Sequence, residues 1–243
     1  KKYKYKINPL ASIRTLDLKG TNFFGYFDHT PWSNDMRFFI LNVKNGNSLS
    51  LKLFEKIDDK YIFKQNIVTT ATFNYQQGIR ALWINNHKLV FNNMCKNSLC
   101  SSIHNIKDNH SYICPFPIQE INSSKDILYA IDYLSLDVLN KDYGYGLNKK
   151  NNKTDWNGIM AYNYNSKKVI FNLIHSRIHK KSMNKISLSQ CEINHISLSP
   201  DSKKIIFIYR NKKPNSFSEL YLYDFEQDCL DLIFSGKIVS HFC

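Results

Sequence analysis

The chain has 243 residues, 43% of them hydrophobic and 14% aromatic, with eight glycines; this composition suits a folded globular protein and excludes collagen-like and low-complexity chains. A formal net charge of +13 would suit nucleic acid only if the cations were clustered. The lysines instead scatter through turns, in runs as short as Lys1-Lys2, Lys149-Lys150, Lys180-Lys181 and Lys212-Lys213. They read as solvated turn residues with no nucleic-acid partner, while an anionic glycan stays compatible with the charge.

No run of about eighteen apolar residues is present, so no membrane-spanning helix is expected, and nothing near Lys1 resembles a signal peptide. The chain opens on lysine and closes inside a motif, which reads as a segment of a longer protein whose leader could be missing. Cys95, Cys100, Cys114, Cys191, Cys229 and Cys243 lack C-x-x-C spacing. They are expected to be buried small hydrophobes in a reducing compartment, which points to the cytoplasm.

Strand-like segments recur in pairs along the chain. The first unit has an inner pair over residues 26–43, turning at Asn34-Asp35, and an outer pair over residues 49–63 around Asp58-Asp59. The second begins at Ile79, turns at Asn85-Asn86 and finishes with an outer pair over residues 99–113. The third begins at Phe116, turns at Asn122-Ser123-Ser124 and takes its outer pair from residues 159–171. A fourth spans residues 193–234, and Val239-Ser240-His241-Phe242 opens a further copy. Asn, Asp, Ser and Pro serve the turns because their short side chains bond the local backbone or fix φ in advance, and β-branched and aromatic residues fill the strands. Repeats of about forty residues with four short strands each predict an all-β propeller. Four blades and the start of a fifth imply a six- or seven-bladed parent or a small closed ring. The segment forms one domain and is marginal in isolation, because an open ring leaves two blade faces uncovered.

Two stretches break the rhythm. Residues 135–156 form a loop insertion in the third blade, containing Tyr143-Gly144-Tyr145-Gly146, and serve either binding or as a mobile excursion. Residues 175–190 form a short helix or a linker.

Inner strands of a propeller line its axis, so side chains at one register converge there. His29 and His195 each stand four residues before a polar turn, at Ser33-Asn34-Asp35 and Ser199-Pro200-Asp201. The same register places Arg80 in the second unit, Pro117 or Ile118 in the third, and His241 in the incomplete copy. A ring of imidazoles and guanidinium suits a carboxylate ligand, and histidine adds proton transfer or metal binding near neutral pH. The alternative is a core histidine bonded to its neighbours, with Asp28 orienting His29. Gln76 and Gln77 stand where they could donate and accept at the channel mouth. Arg210, closing the inner pair of the fourth unit, meets either a ligand anion or a neighbouring carboxylate. His87, His104, His110, His175 and His179 read as surface residues. No dinucleotide fingerprint, phosphate loop, H-E-x-x-H helix or nucleophile elbow is present.

Residues Phe24-Gly25-Tyr26-Phe27-Asp28-His29-Thr30-Pro31-Trp32, Asn74-Tyr75-Gln76-Gln77-Gly78, Asn194-His195-Ile196-Ser197-Leu198-Ser199-Pro200-Asp201 and Val239-Ser240-His241-Phe242 together resemble bacterial propeller proteins related to oligogalacturonate lyases and to TolB-like, WD40-like repeats. The resemblance implies β-elimination on uronate oligomers in the central funnel, assisted by a divalent metal such as manganese. It casts His195 as the proton-abstracting base and His241 as the first metal ligand, with the remaining ligands beyond Cys243. His29, Arg80, Gln76, Gln77 and Arg210 would then contact an acidic oligosaccharide. The competing readings are a non-catalytic propeller that binds a glycan or a protein partner, and another enzyme of surface-glycan assembly, since fold alone does not decide function.

Overall fold

The computed structural model describes residues 16, 18–147, 156–184, 186–211, 216–237 and 239. His241 lies outside them. Among the described residues sixteen strands form four separate antiparallel sheets of four strands each, which establishes the all-β blade architecture.

The first blade is β1 (Thr21–Phe23), β2 (Phe38–Asn45), β3 (Ser48–Ile57) and β4 (Lys60–Thr70), paired in chain order. The second is β5 (Leu82–Asn85), β6 (Lys88–Cys95), β7 (Ser98–Asn105) and β8 (His110–Cys114). The third is β9 (Glu120–Asn122), β10 (Ile127–Ile131), β11 (Ile159–Asn163) and β12 (Lys168–Leu173). The fourth is β13 (Glu192–Leu198), β14 (Lys204–Asn211), β15 (Phe217–Asp224) and β16 (Cys229–Gly236).

The turn signals act as their chemistry requires. Ser33 donates its hydroxyl to Asp35 at 2.6 Å and its amide to the Phe38 carbonyl at 2.9 Å; Ser199 repeats this with Asp201 at 2.6 Å and Lys204 at 3.0 Å. The two inner turns are therefore one motif used twice. Asp58 and Asp59 both adopt positive φ, 45° and 62°, as expected of a tight hairpin whose twist must match its strands.

The first inner strand departs from the expected residues 26–43. Pairing occurs at Phe23 opposite Asn42, lapses, and resumes only as a bridge between Trp32 and Phe39. The intervening segment leaves the sheet because Gly25, at φ +134°, takes a conformation L side chains rarely adopt, and a Cβ there would lie 2.6 Å from His29 Nε2.

Blades bury their faces against one another. Phe38, Ile40 and Leu51 of the first meet Ile79, Leu89 and Phe91 of the second; Ile84, Val90 and Ile103 of the second meet Leu128 and Tyr162 of the third. Tyr129, Ile131 and Ile159 of the third then meet Ile193, Phe207, Tyr209 and Tyr221 of the fourth. A blade has too little apolar area to be stable alone, and these shared cores supply the rest.

An excursion separates β10 from β11: Asp132 caps α1 (Tyr133–Leu139) by accepting from the amides of Leu134 and Ser135 at 3.1 Å each. Between blades three and four, α2 (His175–Lys181) and a 3-10 turn (Leu188–Gln190) fill the linker. Two expectations are corrected. Cys95 and Cys100 form a disulfide across the β6–β7 hairpin, where register brings their Cα atoms to 5.9 Å. His104 and His175 are 2% and 5% exposed rather than superficial, because each ring faces a blade or a helix contact that periodicity alone did not reveal.

Candidate axial site

Arg80 and His195 occupy equivalent backbone defects. β13 pairs regularly at Asn194 opposite Ile208, skips His195 and Ile196, and resumes at Ser197 opposite Ile206. In blade two the Asn92 amide donates to Ile79 at 2.7 Å, Arg80 and Ala81 are skipped, and pairing resumes at Leu82 opposite Val90. Both defects put a non-glycine residue in the left-handed region, Arg80 at φ 51° and His195 at φ 50°. Such a bulge costs roughly 1 kcal/mol per residue and turns the side chain out of the pleat. In blade one the same register is expanded into the excursion that carries Tyr26, Asp28 and His29.

These elements converge. Tyr26 stacks on the His195 ring at 5.4 Å, Tyr143 from the third-blade insertion meets it edge-on at 5.3 Å, and the Arg210 guanidinium lies 5.3 Å over the Tyr143 ring. Asp28 accepts a bidentate pair from Arg80 at 2.9 and 2.7 Å and lies 3.0 Å from His29 Nδ1. Arg80 also donates Nε to the Gln119 carbonyl at 2.9 Å, which brings the third blade to this cluster.

The electrostatics are those of closed ion pairs. Burial pushes the Asp28 carboxyl up, but the His29 hydrogen bond and the Arg80 charge outweigh it and hold the group well below the usual carboxylate range. Burial likewise opposes the Arg80 cation, and Asp28 more than restores it. Burial raises the Tyr26 hydroxyl to about 12, with Tyr143 and Asp28 adding to the effect, so it stays protonated. Arg210 Nε donates to Glu192 Oε1 at 2.6 Å, the structural partner that sequence offered as one alternative. The axis is therefore not an open cationic funnel, since each buried guanidinium has its own carboxylate.

The described part of the insertion packs onto the inner residues of blades two and three. Tyr145, 4% exposed, accepts from Asn92 Nδ2 at 2.9 Å and packs edge-on against Tyr133, whose hydroxyl bonds Gln119. Glycine is required at Gly144, where a Cβ would lie 2.7 Å from the Asp137 Cα. On one side of the insertion a cleft of about 490 Å³ takes in Gln76 with Asn74, Tyr75 and Lys141. On the other a cleft of about 520 Å³ is lined by Asn140, Lys141, Glu192 and Arg210. There Arg210 Nη2 and Glu192 Oε2 are buried without a hydrogen-bond partner among the described residues.

His29, Arg80, His195 and Arg210 thus share one neighbourhood through Tyr26, Asp28 and Tyr143. Gln76 lines the cleft of about 490 Å³, whereas Gln77 is 1% exposed with both amide atoms buried and without a hydrogen-bond partner among the described residues. Tyr26, Tyr143 and Glu192 escaped the sequence reading. The charge opposite Arg210 offered a signal for Glu192, but the tyrosines are brought in by loops whose path no periodicity encodes.

The sheets define the class, a β-propeller segment. Neither a family model nor a curated protein matches the sequence. Among solved structures the chain is similar to TolB from Acinetobacter baumannii at 11% identity and TM-score 0.47, covering 83% of this chain and 42% of TolB. It is similar to an oligogalacturonate lyase in complex with manganese at 9% identity and TM-score 0.46, covering 91% and 68%. A likeness to the tricorn protease, at 10% identity and TM-score 0.45, covers 91% of this chain and 18% of that one. The chain spans less than half of TolB and of the tricorn protease, and at these identities the likenesses concern fold.

Proposed function

We propose that this propeller binds an acidic, uronate-type oligosaccharide at the axial cleft beside the insertion. The observation that carries the reading is the Arg210–Glu192 pair, which lines a cleft of about 520 Å³, spends one bond on itself and leaves Arg210 Nη2 and Glu192 Oε2 buried without a hydrogen-bond partner among the described residues. A buried donor and acceptor left without partners cost on the order of 1–3 kcal/mol each, which a ligand carrying both a carboxylate and hydroxyls would recover. Arg210 and Lys141 suit the carboxylate, and Glu192 and Asn140 suit the hydroxyls.

Manganese-assisted β-elimination is the catalytic form of the same proposal. Among the described residues no three His, Cys, Asp or Glu side chains converge, and Asp28, the carboxylate beside His29, is engaged by Arg80. The described set therefore does not fit a metal. His195, held between Tyr26 and Tyr143, positions the cleft wall in this reading; its role as a base and that of His241 as a ligand are tested by the same experiment. The hairpin disulfide favours an oxidising compartment over the expected cytoplasm.

Calorimetry with trigalacturonate and with maltotriose as the neutral control tests the proposal, with and without manganese and with absorbance monitored for unsaturated product. Expected is uronate-selective binding that falls at least tenfold in Arg210→Gln and severalfold in Lys141→Gln, whose exposed side chain leaves the fold intact. No uronate binding by the parent chain, or equal binding by both variants, overturns it. An absorbance rise that depends on His195 and manganese would establish the lyase.

A further inference from the structure

On the other side of α1 from the axial cleft lies a cavity of about 310 Å³, and Val138 and Leu139 line both, so the helix is the wall between them. Its lining combines Trp156 with Asp132, Ser135, Ser189 and His175. His175 begins α2, where its amide donates to Asn157 Oδ1 at 3.1 Å, and its ring rests edge-on against Tyr209 at 5.4 Å. The residue is 5% exposed, yet its Nε2 has no hydrogen-bond partner among the described residues.

The other polar groups are already engaged. Asp132 caps α1 and accepts from the Ser135 hydroxyl at 2.6 Å, and Ser189 bonds Ser187 at 3.0 Å. Among the described residues Asp132 is the one charged group in the lining, and no lysine or arginine joins it there, so a carboxylate ligand would meet repulsion from it. Burial, chiefly, lowers the His175 pKa to about 4, against a smaller opposing effect of Asp132. The imidazole is therefore neutral near pH 7, with Nε2 able to accept from, or in the other tautomer donate to, a hydroxyl.

We infer that this cavity is a second binding site, taking a neutral hydroxyl-bearing pyranose ring, with the His175 imidazole bonded to a ring hydroxyl and Trp156 against the apolar face of the sugar. The site is independent of the acidic-glycan reading, because its lining selects against the charge that the axial cleft selects for. Concave, partly aromatic cavities with a few fixed polar groups are the usual form of small-ligand sites, and a buried nitrogen without a protein partner is bonded by a ligand or an ordered water.

The test uses the whole chain with methyl glucoside, methyl galactoside and methyl mannoside as probes and methyl glucuronide as the acidic comparison. Nitrogen-detected NMR of the histidine rings should show saturable movement of His175 Nε2 with at least one neutral glycoside. Tryptophan fluorescence should titrate in parallel and lose at least tenfold in apparent affinity in Trp156→Ala and His175→Phe, with Lys141→Gln unchanged. Nε2 unmoved by all three neutral glycosides in the parent chain overturns the inference, whatever the variants do. So does movement that persists in Trp156→Ala, or tighter binding of the glucuronide. Because Lys141 does not line this cavity, failure at the axial cleft and failure here are separable.

Discussion

Asp28 carries more of the site than any of the histidines around it, because it pairs bidentately with a guanidinium that is 1% exposed. Removing one member of a buried pair strands the other, so Asp28→Asn should destabilise the chain by about 3 kcal/mol in urea unfolding. The double variant Asp28→Asn with Arg80→Met should recover much of that loss, since the stranded charge is gone. His175 gives a pH dependence whose sign follows from its folded pKa of about 4, below the ordinary histidine value of 6.5. As pH falls through 6.5 the unfolded chain takes up a proton that the folded chain refuses. Stability should therefore decline by up to about 3 kcal/mol by pH 4 and level off below it. Asp28, lowered in the folded state, contributes stability above the ordinary Asp range that is lost as pH falls through its folded pKa. Histidine-ring titration by NMR, beside melts at each pH, checks the first; a His175→Phe variant should flatten the curve between pH 4 and 6.5.

At the level of elements, the inner-strand bulges explain why His195 and Arg80 were visible in the sequence as a register while their roles were not. The turn motif at Ser33 and Ser199 is local, so its spacing to His29 and His195 could be counted. Whether the chain bulges by two residues, as at Arg80 and His195, or leaves the sheet for eight, as between Phe23 and Trp32, depends on packing at the axis. The insertion is the second such case: its Tyr-Gly-Tyr-Gly run marked an irregular segment, but only tertiary contacts make it a plug. Gly144→Ala should dislodge that plug, because the new Cβ meets Asp137 backbone. We expect a loss of about 2 kcal/mol in unfolding together with loss of uronate binding, measured on the same preparation. The hairpin disulfide closes a loop of only a few residues, so by the chain-entropy estimate reduction should cost about 2 kcal/mol at most, read as a shift in the urea midpoint with and without reductant.

For the whole molecule, stability is distributed through cores that each belong to two blades. Blades two and three are covered on both faces. Hydrogen exchange should therefore be slowest in β6 and in β10, whose five residues are all buried, and fastest in β4 and β16, whose burial alternates with exposure. Equal protection in β16 and β10 would contradict this. The surplus of positive charge sits on surfaces and turns, while the axis is neutralised pair by pair, so salt should affect solubility and encounter rates more than the site itself.

What the sequence determined by itself is what local chemistry can encode: strand periodicity, Asn, Asp and Ser turns, four repeats of one sheet, and a register of polar residues aimed inward. These depend on neighbours within a few positions along the chain, so they can be read without coordinates. The tertiary structure alone decided that Asp28 neutralises Arg80, that Glu192 and Arg210 share a bond and open onto a cleft, that Tyr26 and Tyr143 enclose His195, and that His175 faces a cavity. Those outcomes depend on contacts between residues dozens of positions apart, where burial and ion pairing, rather than spacing, select the partner.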